Sequence, residues 1–589
     1  MVASTLGPSL SVMPRIAGRA VRRSSHHVRG RNAYHRPTRR RDVGGRMTQL
    51  SENWATLWEA LADAQPDHVA VVVGDRTMRW RDLDLRAAKL AGALGEAGVG
   101  PGSKVAQLLY NCTEYLETVY ALFKLRATPV NVNYRYLTEE VAYILDNSDA
   151  EVLVFHGALG DRVVGLQERL PGLRVLLQVD DGSPLVPGAR WFHEVRDAAD
   201  PAPRIERSGD DLLFLYTGGT TGLPKGVMWR HVDLFGALAF TGYVSMGLDL
   251  PTTPDEVGRV AAELNAAGRS PVNLCAPPLM HGTALFLAIS AFVLGGTVVL
   301  LGERRFDADE LWRLVDEHGA TQLSIVGDAF ARPMVAALDR AEAEGRRYGL
   351  TSVQRIVSTG ATLSAEHKRA FQRHCPNAMI MDLIGASEGG PFALSMTMPG
   401  TEPTETAVFT APPNAVVIDD TTGRPAERGS GVVGMLAVSG PMPQGYYKDS
   451  VKSEGTFRVI DGVRYTVPGD YATIDADGTV HLLGRGSVCI NTGGEKVYPE
   501  EVEVAARSHP GVLDCNAVGV PDDRFGQVVT LVASRAPGTS ATEDEVIAHV
   551  RAQLAAYKAP KRVVWVDAVY RSPSGKSDYR WAREAATGG

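Results

Sequence analysis

The eleven residues Tyr216-Thr-Gly-Gly-Thr-Thr-Gly-Leu-Pro-Lys-Gly226 are the stretch of this sequence best suited to chemistry. They follow the apolar run Leu212–Leu215, and within them three glycines and three threonines precede a lysine. Glycine lets backbone N–H groups come close to an anion, the hydroxyls add donors, and a lysine ammonium adds a point charge. Thr217, Gly218, Gly219, Thr220, Thr221, Gly222 and Lys225 therefore read as a loop that grips phosphate. It is not the Walker A arrangement, because Pro224 precedes the lysine and Gly226 follows it. A glycine-rich loop alone is equally at home as a surface turn; the full string is far more specific.

Seven further strings follow in order: Pro278-Leu-Met-His-Gly282, Ser358-Thr-Gly-Ala-Thr-Leu-Ser364, Asp382-Leu-Ile-Gly-Ala-Ser-Glu388, Tyr465-Thr-Val-Pro-Gly-Asp470, Leu483-Gly-Arg-Gly486, Thr492-Gly-Gly-Glu-Lys-Val-Tyr-Pro-Glu-Glu501 and Pro573-Ser-Gly-Lys576. Each has a plain reading. A lone histidine usually packs, Gly-x-Ser-Glu is common by chance, a Gly-Gly pair turns a hairpin, and a near-terminal lysine is usually solvated. Order and spacing carry the weight. Together the strings resemble those of the adenylate-forming enzymes, the family of acyl-CoA synthetases, non-ribosomal peptide adenylation domains and firefly luciferase. The resemblance runs from Asn53 to Arg580 and is nearest to actinobacterial ligases of fatty acids and sterol side-chain acids.

The resemblance implies a role for each string. His281 would stand at the edge of an acyl pocket, with Gly360 and Ala361 as a close wall of the nucleotide and acyl sites. Asp382, Ile384, Gly385 and Ser387 would lie along the nucleotide, and Glu388 would hold Mg2+, a hard oxygen ligand for a hard cation. Ile384 replaces a tyrosine that stacks on adenine in the family, so it offers an apolar face without the aromatic ring. Asp470 would accept the ribose hydroxyls, although Val467-Pro468 replaces the usual Arg-Thr before it. Arg485 would reach the nucleotide just ahead of a hinge at Ser487. Gly493 and Gly494 would line a channel for the pantetheine arm of coenzyme A, and Lys576 would reach the carboxylate and α-phosphate.

The activity so implied is an ATP-dependent acyl-CoA synthetase, an acid–thiol ligase using ATP, Mg2+ and coenzyme A. A carboxylate is a poor electrophile, and attack on the α-phosphate of ATP converts it to an acyl-adenylate whose leaving group is AMP. Several negative charges meet in that step, so Lys225, Glu388 with its cation, and Lys576 would act by positioning and neutralisation. Two other readings compete. In one the acyl group passes to a carrier protein; in the other the chain is a nucleotide-binding protein without catalysis, which should have lost Lys576 or Glu388. Leu279-Met280, Ala284-Leu285-Phe286 and Trp229 suggest an apolar acyl pocket, with Leu285 where long-chain ligases often carry a gating tryptophan. A bulky apolar acid is expected, and the segment Gly247–Ser270 is expected to shape the entrance.

The elements that must hold these residues are legible as patterns. Strand-like His68–Val73 precedes Leu83, Ala87, Leu90 and Leu94 on one helical face, and Val105–Tyr110 reads as the next strand. The alternation recurs at Leu311–His318 and Gln322–Val326. It predicts an α/β domain, at 47–485, of parallel sheets covered by helices. Short β-branched runs at Ala415–Ile418, Gly434–Val438 and Thr479–Leu483 predict a small β-barrel-like subdomain over about 391–485. Residues 486–589 predict a small α+β lid, mobile by the resemblance, with helices Glu500–Ser508 and Glu543–Leu554.

Composition sets the limits. At 44% hydrophobic and 22% charged the chain reads as globular, and 589 residues exceed what one core organises. Residues 1–46 hold eleven arginines, no lysine and one acidic residue, a disordered basic extension by composition or the product of an upstream start codon. The net charge of −7 lies against a nucleic-acid role, more so without that extension. Ala284–Leu301 lacks charge, but Gly295-Gly296 divides it into helix and strand, so no integral membrane segment is expected. Five scattered cysteines without CxxC spacing fit a reducing cytoplasm. The resemblance leaves a homodimer open, and which acid is taken is not written in the sequence.

Overall fold

A computed structural model describes residue 50 and residues 52–588, apart from 218–222, 362, 405–407, 486–487, 489, 493–494, 523–524, 555 and 572–576. The basic extension 1–46 lies outside the described residues. Residues 49–589 form one compact unit.

Three sheets organise it. In the eight-stranded sheet the order is Gly445–Tyr446, Lys225–Arg230, Leu212–Thr217, Thr128–Asn131, Lys104–Leu108, Ala150–His156, Val175–Val179 and Arg190–Trp191. Its pairs are parallel from Leu212–Thr217 onward, as the alternating pattern predicts, whereas Lys225–Arg230 turns back antiparallel on Leu212–Thr217. That reversal places both ends of the phosphate-gripping string on neighbouring strands, Thr217 opposite Lys225.

The second sheet has fifteen strands; after the antiparallel pair Arg76–Arg79/Val69–Val73 it runs parallel, with Val272–Cys275, Gln322–Ile325, Arg355–Thr359 and Met379–Ala386 in register. It turns antiparallel at the hairpin Met379–Ala386/Gly389–Thr397 and continues through Phe409–Thr410, Thr479–Arg485 and Asp470–Ile474. The β-rich region expected to resemble a barrel is thus an open extension of this sheet, with Phe392, Val417, Leu436 and Ile474 buried beneath it. Helix Gly282–Val293 stops at Gly295, where φ is 68°, and strand Thr297–Leu300 follows. The glycine takes the left-handed turn that an L side chain resists. Among the described residues no helix is long and apolar enough to cross a membrane.

The third sheet, of five strands, carries the C-terminal segment, with Gly526–Arg535 at its centre and Val512–Asp522 antiparallel to it at the edge. Helices Pro499–Arg507 and Glu543–Gln553 bury Val502, Ala506, Val546 and Val550 against it. Tyr471 and Tyr498 meet at 5.7 Å between ring centroids, linking the extended second sheet to this part of the chain.

One expectation of placement fails. Within 247–270 the chain forms helix Pro254–Ala266, which buries Val257, Ala261 and Leu264. It crosses helix Trp54–Ala64 so closely that a Cβ on Gly258 would lie 2.8 Å from the Ala60 carbonyl oxygen. No residue of 247–270 is among those that line the large cavity between the first two sheets.

Candidate active site

A cavity of about 1100 Å³ opens between the first two sheets. Thr217, Thr359, Gly360 and Ser387, polar or small residues at or next to strand ends, line one part of it, with Leu223 and Pro224 beside them. Trp229, Leu234, Leu238, Phe286, Val326 and Phe330 line another, which is apolar. His281 and Met280 stand on the lining as well.

Strand Lys225–Arg230 ties the two parts. Side chains alternate along a strand, so Lys225, Val227 and Trp229 share one face, with about 13 Å of backbone from first to last. Lys225 begins it, next to Pro224 on the lining, and Trp229 stands near its end in the apolar part. The Trp229 ring is 2% exposed, meets Phe286 edge-on at 5.8 Å, and its Nε1–H donates to the Ser387 carbonyl at 2.9 Å. The wall of the apolar part thereby also holds the Ser387-Glu388 turn. Gly226 cannot carry a side chain here, since a Cβ would lie 2.6 Å from the Tyr216 ring.

Glu388 sits in the two-residue turn between Ala386 and Gly389, which pair across the hairpin. Its Oε1 accepts a 2.7 Å hydrogen bond from the Tyr446 hydroxyl. Lys225 Nζ pairs with Asp449 Oδ2, and this ammonium holds the Asp449 carboxyl below its ordinary range. Neither Tyr446 nor Asp449 was legible as a site residue, because both make their contacts with strands remote in sequence.

Two asparagines also escaped the sequence reading. The Asn131 side chain donates to the Tyr216 carbonyl at 3.0 Å and to the Met280 carbonyl at 2.6 Å, and accepts from the Tyr216 N–H. Asn111 Oδ1 accepts from the Leu279 N–H at 2.8 Å. These two side chains set the loop before His281 against the strand that leads into Thr217. Their one sequence signal is an amide at the end of an apolar run, as in Thr128–Asn131.

The other expected residues divide. Gly360, Gly385 and Ser387 reach the cavity; Ala361 is half-buried next to it in sequence and is not on the lining. Ile384 packs into the cluster of Phe392, Val417 and Ile474, while its neighbour Leu383 reaches the cavity instead. Asp382 is 4% exposed beneath the strand, 3.5 Å from the buried Lys368 ammonium, and burial raises its carboxyl to about 6. Asp470 faces Arg485 across the Asp470–Ile474/Thr479–Arg485 pair, with Arg485 described by its backbone. Gly218, Gly219, Thr220, Thr221, Gly222, Gly493, Gly494 and Lys576 lie outside the described residues. Residues flanking Lys576 do reach the cavity: Tyr570 on one side, Ser577, Tyr579 and Arg580 on the other. Of the apolar residues expected around the acyl group, Trp229, Met280 and Phe286 line the cavity; Leu279, Ala284 and Leu285 are buried in the core behind it.

The pattern of the AMP-binding enzyme family matches residues 58–447, and that of the AMP-binding enzyme C-terminal domain matches 501–576. The chain is 41% identical over 540 residues to the 3-oxocholest-4-en-26-oate–CoA ligase of Rhodococcus rhodochrous, covering 91% of this chain and 96% of that one. It is 41% identical over 542 residues to a medium/long-chain-fatty-acid–CoA/3-oxocholest-4-en-26-oate–CoA ligase of Mycolicibacterium smegmatis, with the same shares covered. Among solved structures it resembles ATP-bound MatB from Rhodopseudomonas palustris, with a TM-score of 0.72 and 26% identity over 90% of this chain and 98% of that one. The cavity between two helix-covered sheets, the flanks Thr217 and Leu223 of the glycine-rich string on its lining and these likenesses along the chain agree: the protein belongs to the AMP-binding enzyme family.

Proposed function

We propose that this enzyme is an ATP-dependent acyl-CoA synthetase that activates a bulky apolar carboxylic acid, a long-chain fatty acid or a sterol side-chain acid. The observation that carries the reading is one cavity lined both by Thr217 and Pro224, which flank the string ending in Lys225, and by the apolar pair Trp229 and Phe286. Relatives covering nine-tenths of the chain bear the names of ligases for such acids.

In the first step a carboxylate oxygen bonds to the α-phosphorus of ATP, and the bond from that phosphorus to the pyrophosphate oxygen breaks. In the second the coenzyme A sulfur bonds to the acyl carbon and AMP leaves. Lys225, with Thr217 and the string between them, would hold the phosphates, and His281 would border the carboxylate. Lys576, on a segment whose flanks reach the cavity, would neutralise the reacting oxygens. Arg571 would brace that segment, since its side chain pairs with Asp514 and donates to Ser577 at 3.2 Å. Asp470 and Arg485 would serve the ribose side, and Gly493-Gly494 the passage of the pantetheine arm.

Glu388 suits a magnesium ion. A carboxylate offers about four acceptor sites, and the Tyr446 hydroxyl takes one of them on Oε1. A bound magnesium ion would offset the charge of the phosphates. A cytoplasmic setting, where ATP and coenzyme A are made, accords with the four buried free thiols among the described residues.

The test is a panel of acids assayed for AMP release that depends on both ATP and coenzyme A. Long-chain or polycyclic acids should lead. Faster turnover of acetate or benzoate would refute the bulky-acid reading, and full-speed adenylate formation by Lys576→Ala would refute the site. Acyl transfer to a carrier protein would show as adenylate formation without coenzyme A-dependent release of AMP.

A further inference from the structure

Lys225 begins a strand of the eight-stranded sheet and Glu388 sits in a hairpin turn of the second; they carry opposite charge, and their chain neighbours Pro224, Ser387 and Gly389 line one cavity. Each meets the same five-residue segment. Gly445 and Tyr446 pair antiparallel with Met228 and Val227 on the edge of the eight-stranded sheet. From there the Tyr446 hydroxyl reaches across to Glu388 at 2.7 Å, and Asp449 takes the Lys225 ammonium. The Lys225 Nζ also lies 5.9 Å from the Tyr446 ring centroid.

The segment is braced on every side. Ser453 Oγ accepts from the Tyr446 N–H at 2.8 Å and donates to the Asp449 carbonyl at 2.6 Å. Asp449 Oδ1 accepts from the Lys452 N–H at 2.9 Å, and the Tyr447 hydroxyl and Lys448 both reach Asp149. Tyr446 is 6% exposed, packed on Phe457 at 5.7 Å, so its hydroxyl has a fixed direction. Lys225 and Asp449 are each about one-third exposed, at 36% and 30% of their side chains. Ion pairs this wet hold weakly, and a polyanion readily takes over the cation.

We propose that Gly445–Asp449 is a positioning clip for the two charged groups of the site. Asp449 holds the Lys225 ammonium until nucleotide phosphates take it, and Tyr446 orients the Glu388 carboxylate toward the divalent cation that accompanies them. The clip keeps a cation and an anion that face one polyphosphate from neutralising each other. It rests on the reading of Lys225 and Glu388 given above, and deepens it.

Two conservative variants separate the arms, read by calorimetric binding of ATP and AMP, each with and without magnesium. Asp449→Asn keeps the acceptor that caps Lys452 and removes only the charge. It should bind ATP about threefold more tightly, with a smaller effect on AMP, which has one phosphate. Tyr446→Phe should cut the gain in ATP affinity on adding magnesium by about fivefold, with magnesium-free binding little altered. A purely structural role would move ATP and AMP alike and leave the magnesium dependence unchanged. The clip is overturned if Asp449→Asn binds ATP no more tightly than the parent, or if Tyr446→Phe keeps the full magnesium gain. Lys225→Ala and Glu388→Gln distinguish the two levels of the argument. If both retain parental ATP binding and adenylate formation, the nucleotide-site reading itself falls; if both lose them while the clip variants match the parent, only the clip falls.

Discussion

Asn131 and Tyr216 exchange hydrogen bonds as two neighbouring strand residues would, with a side-chain amide in place of one backbone. Asn131 Nδ2 donates to the Tyr216 carbonyl at 3.0 Å while Oδ1 accepts from the Tyr216 N–H, and the same Nδ2 reaches the Met280 carbonyl at 2.6 Å. The amide is 5% exposed, so no solvent replaces a lost bond. Asn131→Ala strands one buried N–H and weakens two carbonyls, at about 2–4 kcal/mol in all. Asn131→Asp keeps the acceptor but not the donor, and places a charge there. Both variants should lower the denaturation midpoint. Both should also reduce adenylate formation more than that lost stability explains, because the strand before Thr217 and the loop before His281 lose their common tie. Wild-type turnover in a folded Asn131→Ala protein would contradict this.

Trp229 has two separable duties, one for its ring and one for its N–H. Trp229→Phe keeps most of the apolar wall against Phe286 but cannot donate to the Ser387 carbonyl, now held at 2.9 Å. We expect a loss in kcat for adenylation of up to about tenfold, the worth of one hydrogen bond, with the order of preferred acids unchanged. Trp229→Ala removes the wall as well and should raise KM for the best fatty acid further, shifting preference to bulkier acids. A Phe variant that reorders acid preference without slowing adenylation would reverse the assignment of the two duties.

What could be foreseen followed from how far apart the interacting residues lie. The helical repeat of Leu83, Ala87, Leu90 and Leu94 is local, and all four are buried as read. Glycine strings are also local, since a turn or close approach is decided by the residue itself, as Gly226 against Tyr216 illustrates. The contacts Lys225–Asp449 and Tyr446–Glu388 span 224 and 58 positions, and no periodicity announces them. Strand phase was the other blind point. Leu383 and Ile384 pair in regular register and so point to opposite faces of the strand, and it is Leu383 that reaches the cavity. Resemblance places a motif, but only the local register decides which of its side chains faces the ligand.

Asp382 shows the same phase at work beneath the strand. Its carboxylate and the Lys368 ammonium are 6% and 4% exposed at 3.5 Å, so each is the other's compensation for lost water. Asp382→Asn leaves a buried cation without its partner charge and should cost about 3–5 kcal/mol in a denaturant titration. Adding Lys368→Met to the same chain should recover most of that loss. Equal instability of the single and double variants would mean that the asparagine fails for reasons of packing rather than charge.

His231 makes the scaffold sensitive to acid. It follows the strand Lys225–Arg230 as the first residue of helix His231–Gly242; its Nδ1 accepts from the Trp54 N–H at 3.1 Å, and its ring meets Phe123 at 4.3 Å. Complete burial pushes its pKa down to about 3. Between that value and the ordinary 6.5 the unfolded chain binds a proton that the folded chain refuses, so stability is lost as pH falls through this window. Asp382 acts in the opposite sense. Its pKa is raised from 3.8 to about 6, so its contribution is present at low pH and is lost as pH rises toward 6 and above. Comparing the parent with His231→Asn, which keeps an acceptor for Trp54, cancels Asp382 and every other group. From pH 7 to pH 5 the parent should lose about 2 kcal/mol relative to the variant in parallel denaturant titrations. Parallel pH curves for the two proteins would show that His231 is not held neutral in the folded state.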